Sequence, residues 1–227
     1  MRNLLRNNFW RANVAGHART SAVILAVFVA VTFTSCRDPE LDARSTGLIG
    51  NPAPAFTLPD SNGVAHKLAD YRGKFVVLEW INFDCPFVRK HYEKSDNMQS
   101  LQKKYTAQGV VWLSINSSAP GKQGNFTAAE INQRLKERGS SATAYLTDPD
   151  GKVGRAYGAQ TTPHMYLVNP EGVVLYQGAI DSDSSANADA IPGATNYVAQ
   201  GLDEALAGKP VSTTTTKSYG CSVKYDS

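Results

Sequence analysis

Three cysteines occur in 227 residues, at positions 36, 85 and 221, and Cys85 has the setting in which a thiol does chemistry. It follows the apolar run Phe75-Val-Val-Leu-Glu-Trp-Ile81 through the short link Asn82-Phe83-Asp84, and Pro86 after it suits the first position of a helix. A cysteine at such a junction faces unpaired backbone N–H groups and the positive end of the helix dipole, both of which favour an anion. The thiolate is the species that attacks disulfides or peroxides. Arg89, Lys90 and His91 add positive charge one to two turns later, and Asp84 opposes it. The other reading is an inert cysteine buried at a strand end. Cys221 lies far away in Tyr219-Gly220-Cys221, so the two thiols could form a structural staple or a redox pair. His91 and His164 could join Cys85 around Cu(I), but lone histidines are usually packing residues, and no metal or cofactor is expected. The acids Asp181, Asp183 and Asp189 lack calcium-loop spacing and read as solvated.

The elements that must hold Cys85 follow from pattern. Phe56-Thr-Leu and Val64-Ala-His-Lys-Leu68, around Asn62-Gly63, predict a hairpin. Phe75–Ile81 and Val110–Ile115 read as strands buried on both faces. A helix follows Cys85 with a break near Ser95-Asp96, and a second spans Asn97 to Gln108 with Met98, Leu101 and Tyr105 on one stripe. Thr127-Ala-Ala-Glu130 is a capping-box start for a helix to Arg138. Ala144–Thr147 predicts a third strand, then comes a short helix to Tyr157. Met165–Val168 and Val173–Tyr176 form a second hairpin around Asn169-Pro-Glu-Gly172. A loop over Asp181–Ala194, a helix from Asn196 to Ala207, and a flexible tail containing Thr213–Thr216 complete the chain. Alternating strands and helices argue for an α/β layered domain.

The N-terminal stretch stands apart. Arg2, Arg6, Arg11 and Arg19 lie in a region without Asp or Glu, and an apolar run then leads to Ser35-Cys36. That order describes an export signal, with the run too short to span a membrane as a helix. Phe33-Thr34-Ser35-Cys36 resembles the lipobox of bacterial lipoproteins, which implies lipidation at Cys36 and a membrane partner reached through that anchor. The expected organisation is a signal over 1–35, a tether over 36–50, a domain over 51–208 and a tail over 209–227. The signal's four arginines account for the basic excess. Of 23 basic residues, 19 remain against all 20 acids, and nothing in that balance suggests nucleic acid. Export places the thiols in an oxidising, periplasm-facing compartment.

Two motifs carry a family resemblance. The first is Ala53-Pro54-x-Phe56-x-Leu58, continuing through Gly63 to Leu68-x-Asp70-Tyr71-x-Gly73-Lys74. The second is Glu79-Trp-Ile-Asn-Phe-Asp-Cys85-Pro-Phe-Val-Arg-Lys-His-Tyr92. Both resemble the redoxin/AhpC–TSA branch of the thioredoxin superfamily, the second its peroxiredoxin-like subgroup, over about Gly50 to Leu206 with a Gly220-Cys221 tail. The resemblance implies a thioredoxin-like α/β fold: a central mixed sheet, helices on both faces and an N-terminal hairpin. It makes Cys85 the nucleophile and Thr162-Pro163 the cis-proline turn opposite it, where backbone groups pair with a peptide or thiol substrate. It makes Glu79, six residues before Cys85, a buried acid able to relay protons. Cys221 becomes the resolving thiol if the tail folds back, or else one half of a structural bridge or an unrelated surface thiol. Trp80, Asn82, Pro86, Phe87 and Thr162 are the expected substrate wall, with Trp80 alternatively part of the core.

The departures matter equally. Val88 stands where thioredoxins have their second Cys, so no local disulfide can form. Asn82 and Leu78 replace the Thr and Pro that peroxiredoxins place before the reactive Cys, and Arg89 and Arg155 are the candidates for the arginine they keep beside it. The reading is an envelope thiol–disulfide oxidoreductase acting on a protein or small-molecule thiol or disulfide. Alternatives are a thiol peroxidase acting on peroxide and a non-enzymatic binding or copper-handling module.

Overall fold

The computed structural model describes residues 47–226; the expected signal, lipidated Cys36 and most of the tether lie outside them. The N-terminal hairpin pairs β1 (Thr57–Pro59) with β2 (Ala65–Lys67) antiparallel. A 3₁₀ turn over Leu68–Tyr71 then leads into β3 (Val76–Trp80), all five residues of which are buried. Two helices follow Cys85, α1 (Pro86–Tyr92) and α2 (Asn97–Thr106), separated where the sequence breaks at Ser95-Asp96. Next come β4 (Val111–Asn116), α3 (Ala128–Glu137), β5 (Ala144–Thr147) and α4 (Lys152–Ala156). Both halves of the Thr127–Glu130 capping box form at the start of α3. The two-residue β6 (Thr161–Thr162) precedes the hairpin of β7 (His164–Val168) and β8 (Val174–Gly178). Helix α5 (Tyr197–Leu206) and the two-residue β9 (Cys221–Ser222) complete the order.

The five-stranded sheet runs β5-β4-β3-β7-β8, with β3, β4 and β5 parallel and β7 and β8 antiparallel to their neighbours. Because β3, β4 and β5 step in one direction across the sheet, right-handed crossovers put α1, α2 and α3 on the same face. Strand alternation divides the core accordingly. Val77, Trp112, Tyr145, Met165 and Leu167 face those helices and α5. Val76, Leu78, Trp80, Leu113, Ile115 and Tyr166 face the N-terminal segment and α4. Both sheet edges are covered: Asp60 bridges to β5, while residues 49–52 and Thr215 run along β8.

Two expectations fail here. The loop after Asp181 carries a 3₁₀ turn over Ala188–Gly193. Asp181 itself is buried instead of solvated, because the buried cation of Lys90 lies 3.7 Å away. The tail is not a free strap either. Thr214 and Thr216 exchange backbone hydrogen bonds with Gln177 (3.0 and 3.1 Å), and the Thr216 hydroxyl accepts the Ala179 N–H at 2.9 Å. Farther on, Val223 N–H donates to Gln160 (2.9 Å), and the Lys224 carbonyl accepts from Ala119 (2.8 Å). Tyr225 Oη donates to the Ala159 carbonyl at 2.7 Å.

Glycine permits this docking. Gly178 has φ +147°, and a Cβ there would lie 2.5 Å from the Thr216 carbonyl oxygen. Gly178→Ala is expected to dislodge the threonine run and cost about 1–3 kcal/mol in urea denaturation, since it combines a disfavoured backbone with a backbone clash. An unchanged midpoint would mean that the threonine run contributes nothing to stability.

Candidate active site

The turn that presents Cys85 is fixed by backbone and by one side chain. Cys85 N–H donates to the Asn82 carbonyl at 3.0 Å, and the Asp84 N–H to Asn82 Oδ1 at 2.9 Å. Asn82 Nδ2 donates to the Gln123 carbonyl at 3.3 Å, and Asn116 Nδ2 to the Ile81 carbonyl at 2.8 Å. The Asn82 amide, expected to face substrate, is thus engaged in shaping the turn. Asp84, whose charge would oppose a thiolate, is paired with Arg134 of α3 at 3.0 Å.

Cys85 occupies the N-cap position of α1 and is fully buried. Its Sγ donates to the Thr162 carbonyl at 3.0 Å, just before the Thr162–Pro163 peptide, which is cis as the resemblance implies. Strand β9 pairs Cys221 with Thr162, whose carbonyl receives the Cys85 thiol, and so sets the two thiols near each other. Both are free and Cys221 is partly exposed. Burial raises the Cys85 pKa, but donors from the Cys221 thiol, Thr162, the Val88 N–H and the Cys221 N–H outweigh it, and the net direction is down. The buried Thr162 hydroxyl has no partner while Cys85 is a thiol, so it is free to donate once a thiolate forms. Burial and the neighbouring Cys85 push Cys221 the other way, up to about 12.

The basic residues of α1 do not contribute as expected. Arg89 pairs with Glu93 at 2.6 Å, and Lys90 Nζ donates to the Asp183 carbonyl and carboxylate at 2.8 and 3.1 Å. His91 meets Asn97 at 2.8 Å and the Tyr219 hydroxyl at 3.3 Å, and burial takes its pKa down to about 3. Arg155 donates to the Asp150 and Asp226 carbonyls and stacks on Tyr225. Neither arginine is among the groups that hydrogen-bond Cys85. His164 lies against Tyr166, apart from His91's partners. Among the described residues no cluster of three His, Cys, Asp or Glu could hold a metal ion.

The remaining expected residues divide. Trp80 is core: it packs on Tyr157 and Tyr166 and donates to Ser117 at 3.0 Å, offering no surface to a substrate. Pro86 is exposed at the helix start, and Phe87 lies against Tyr219 with ring centroids 6.0 Å apart. Glu79 is fully buried. It accepts from Tyr92 (3.0 Å), Trp112 (2.8 Å), Ser114 (3.1 Å) and Gln102 (3.5 Å), and neither cysteine is among these partners. Burial outweighs those donors and raises its carboxyl to about 7. Sequence reasoning missed Tyr219, which donates to Asp181 and lies under Lys90 Nζ at 5.5 Å. The one signal was an aromatic residue two places before a cysteine.

Residues 49–177 match the AhpC/TSA family, and the chain belongs to that family and is a thiol oxidoreductase. It is 31% identical to the thiol-disulfide oxidoreductase ResA of Geobacillus thermodenitrificans over 56% of this chain and 66% of that protein. It is 28% identical to the thiol:disulfide interchange protein DsbE of Pseudomonas aeruginosa, over 69% and 83%. The crystal structure of a hypothetical protein from Sinorhizobium meliloti 1021 superposes with a TM-score of 0.68 at 26% identity, covering 80% of this chain and 97% of that one.

Glu79 sets a pH dependence. Between an ordinary carboxyl pKa of about 4.5 and the folded value of about 7, the folded chain holds a proton that the unfolded chain has lost. Stability therefore falls as pH rises through that window. The loss approaches roughly 3 kcal/mol at about 1.4 kcal/mol per pKa unit. Glu79→Gln can donate to Tyr92 Oη while accepting from Trp112, and should remove this slope. Urea denaturation of both chains across the window checks it. The difference between them isolates the carboxyl, because His91 acts in the opposite sense in both. Parallel curves would show that Glu79 is ionised in the folded chain.

Proposed function

We propose that the chain catalyses thiol–disulfide exchange with Cys85 as nucleophile and Cys221 as resolving thiol. The observation that supports this reading is the pairing of β9 with β6, which brings Cys221 to the Thr162 carbonyl that also receives Cys85; both thiols are free, and their surroundings shift them in opposite directions. The Cys85 thiolate attacks one sulfur of a substrate disulfide RS–SR′, forming Cys85–S–SR and releasing R′S⁻. The mixed disulfide carries no charge, so the repulsion that held Cys221 protonated is lifted. Cys221 then gives its proton to the departing thiolate and attacks Cys85 Sγ, releasing RS⁻. Two electrons have passed to the substrate, and an external thiol restores the dithiol.

A second reading has a specific support: with Cys85 fully buried, a small oxidant reaches it more readily than a folded protein does. Hydrogen peroxide would convert the thiolate to a sulfenic acid, Cys85–SOH, with release of hydroxide. Cys221 would then displace water to form the same disulfide. The missing arginine and the engaged Asn82 amide weigh against it. We place the domain at the cell envelope, anchored through a lipidated Cys36 after removal of residues 1–35, on the basic, apolar and Ser35-Cys36 order of that segment.

Disulfide mapping by mass spectrometry tests the core of this reading. One equivalent of a small disulfide should produce a reversible Cys85–Cys221 bond, and Cys85→Ser should take exchange to background. Cys221→Ser should trap a mixed disulfide at Cys85, or a sulfenate if peroxide is the oxidant. Two thiols unmoved by either oxidant would overturn both readings.

A further inference from the structure

The tail does more than deliver Cys221. Antiparallel pairing sets Thr161 opposite Ser222 and Thr162 opposite Cys221. Gly220, at φ +129°, passes so close that a Cβ would lie 2.1 Å from the Thr162 carbonyl oxygen. That carbonyl is the group that receives the Cys85 thiol. An extended peptide bringing a sulfur to Cys85 would take this same strand edge by β-augmentation, and the edge is already filled. The ladder is only two residues long, so it needs a side-chain hold. Tyr219 supplies one: its hydroxyl donates to the buried Asp181 carboxylate and meets His91 Nε2 at 3.3 Å, and its ring packs against Phe87 and the Lys90 ammonium.

We infer that residues 219–225 are a resident client strand, and that Tyr219 is the latch deciding whether Cys85 reacts with the chain's own thiol or with an external peptide disulfide. The inference rests on Cys85 being the nucleophile. While the strand is seated, the buried Cys85 is within reach of small reagents and of Cys221 but not of an extended peptide. An extended peptide carrying a disulfide must first displace Tyr219, Gly220 and Cys221 from the Thr162 edge. Its sulfur is then attacked by Cys85, its other sulfur leaves as the thiolate, and a Cys85–peptide disulfide remains. Tyr219 is a positioning residue: its hydroxyl bonds to Asp181 and His91, and neither sulfur is among its hydrogen-bond partners.

The test uses the full chain carrying Cys221→Ser, with and without Tyr219→Ala, and two probes: 2,2′-dithiodipyridine and a short Gly-Cys-Ser-Val peptide activated as its thiopyridyl disulfide. Release of thiopyridone gives each rate. Opening the latch exchanges a hydrogen bond to a charged group for water, so Tyr219→Ala should speed the peptide about tenfold or more relative to the small probe. Tyr219→Phe, which keeps the ring, should lie between. A peptide-to-small-probe ratio that is equal in all three chains would overturn the latch alone. Failure of the small probe to label Cys85 in any chain would overturn the latch together with the proposed function. A second measurement needs no change at Tyr219. When the Cys221→Ser chain carries the peptide on Cys85, the Val223 amide, held by the Gln160 carbonyl at 2.9 Å, should exchange faster than before loading. Unchanged protection there would overturn the inference.

Discussion

The Thr162 carbonyl is approached from two sides, by the Cys85 thiol at 3.0 Å and by the backbone of Gly220, and the site exists because both approaches are allowed. On the first side, Asn82 shapes the turn after β3 so that the chain enters α1 with Cys85 at its cap. On the second, a residue without a side chain lets the tail lie flat on β6. Any wider residue at position 220 would separate Cys221 from Cys85, whatever the chemistry of the thiols. The sheet supplies the rigidity: β3 is buried along its whole length and is flanked by β4 and β7.

Electrostatics at the site are arranged through neutral donors. Arg89, Lys90 and His91 follow Cys85 directly, yet each is taken by another group: Glu93, the Asp181/Asp183 pair, and Asn97 with Tyr219. The thiolate is favoured instead by Thr162, the Val88 N–H and the Cys221 thiol and N–H, acting against burial. Such donors are short-ranged and screened little by salt, in contrast to exposed ion pairs. The cations of α1 serve the tail. Lys90 and His91 flank Asp181, and Asp181 accepts from Tyr219. One short helix therefore presents Cys85 at its start and, through Lys90 and His91 near its end, holds the segment that carries Cys221.

Most of the scaffold was legible in the sequence because it rests on local rules. Buried strands show as apolar runs, Thr127–Glu130 announces its own cap, and turn residues mark both hairpins. Position alone picked out Cys85, and the family pattern placed the cis bond at Thr162–Pro163 and a buried acid at Glu79. What stayed hidden depends on contacts between distant residues. The Thr213–Thr216 run has no periodicity, so its docking on β8 left no local trace; only Gly178, an isolated glycine at a strand end, marked the close approach. Asp181 read as solvated because its partner Lys90 lies far away in sequence. Trp80 read as either core or site wall, and strand alternation decides for core by turning it to the opposite face, among Tyr157 and Tyr166.

Replacing a second cysteine on α1 by Val88 has a structural consequence beyond the loss of a local disulfide. A resolving thiol one turn away shares its helix with the nucleophile and needs no further support. A resolving thiol on the tail must be carried to Cys85 by a segment that is itself bound. That binding uses the strand edge beside the reacting sulfur, the edge on which an external peptide would also depend. In the proposed reaction, moving the second cysteine couples resolution to access, because the backbone pairing that brings Cys221 to the Thr162 carbonyl also occupies the edge a competing peptide would take. The glycines at 178 and 220 and the aromatic anchors Tyr219 and Tyr225 are the sequence's record of that coupling, since each has its closest neighbours across the tail contact.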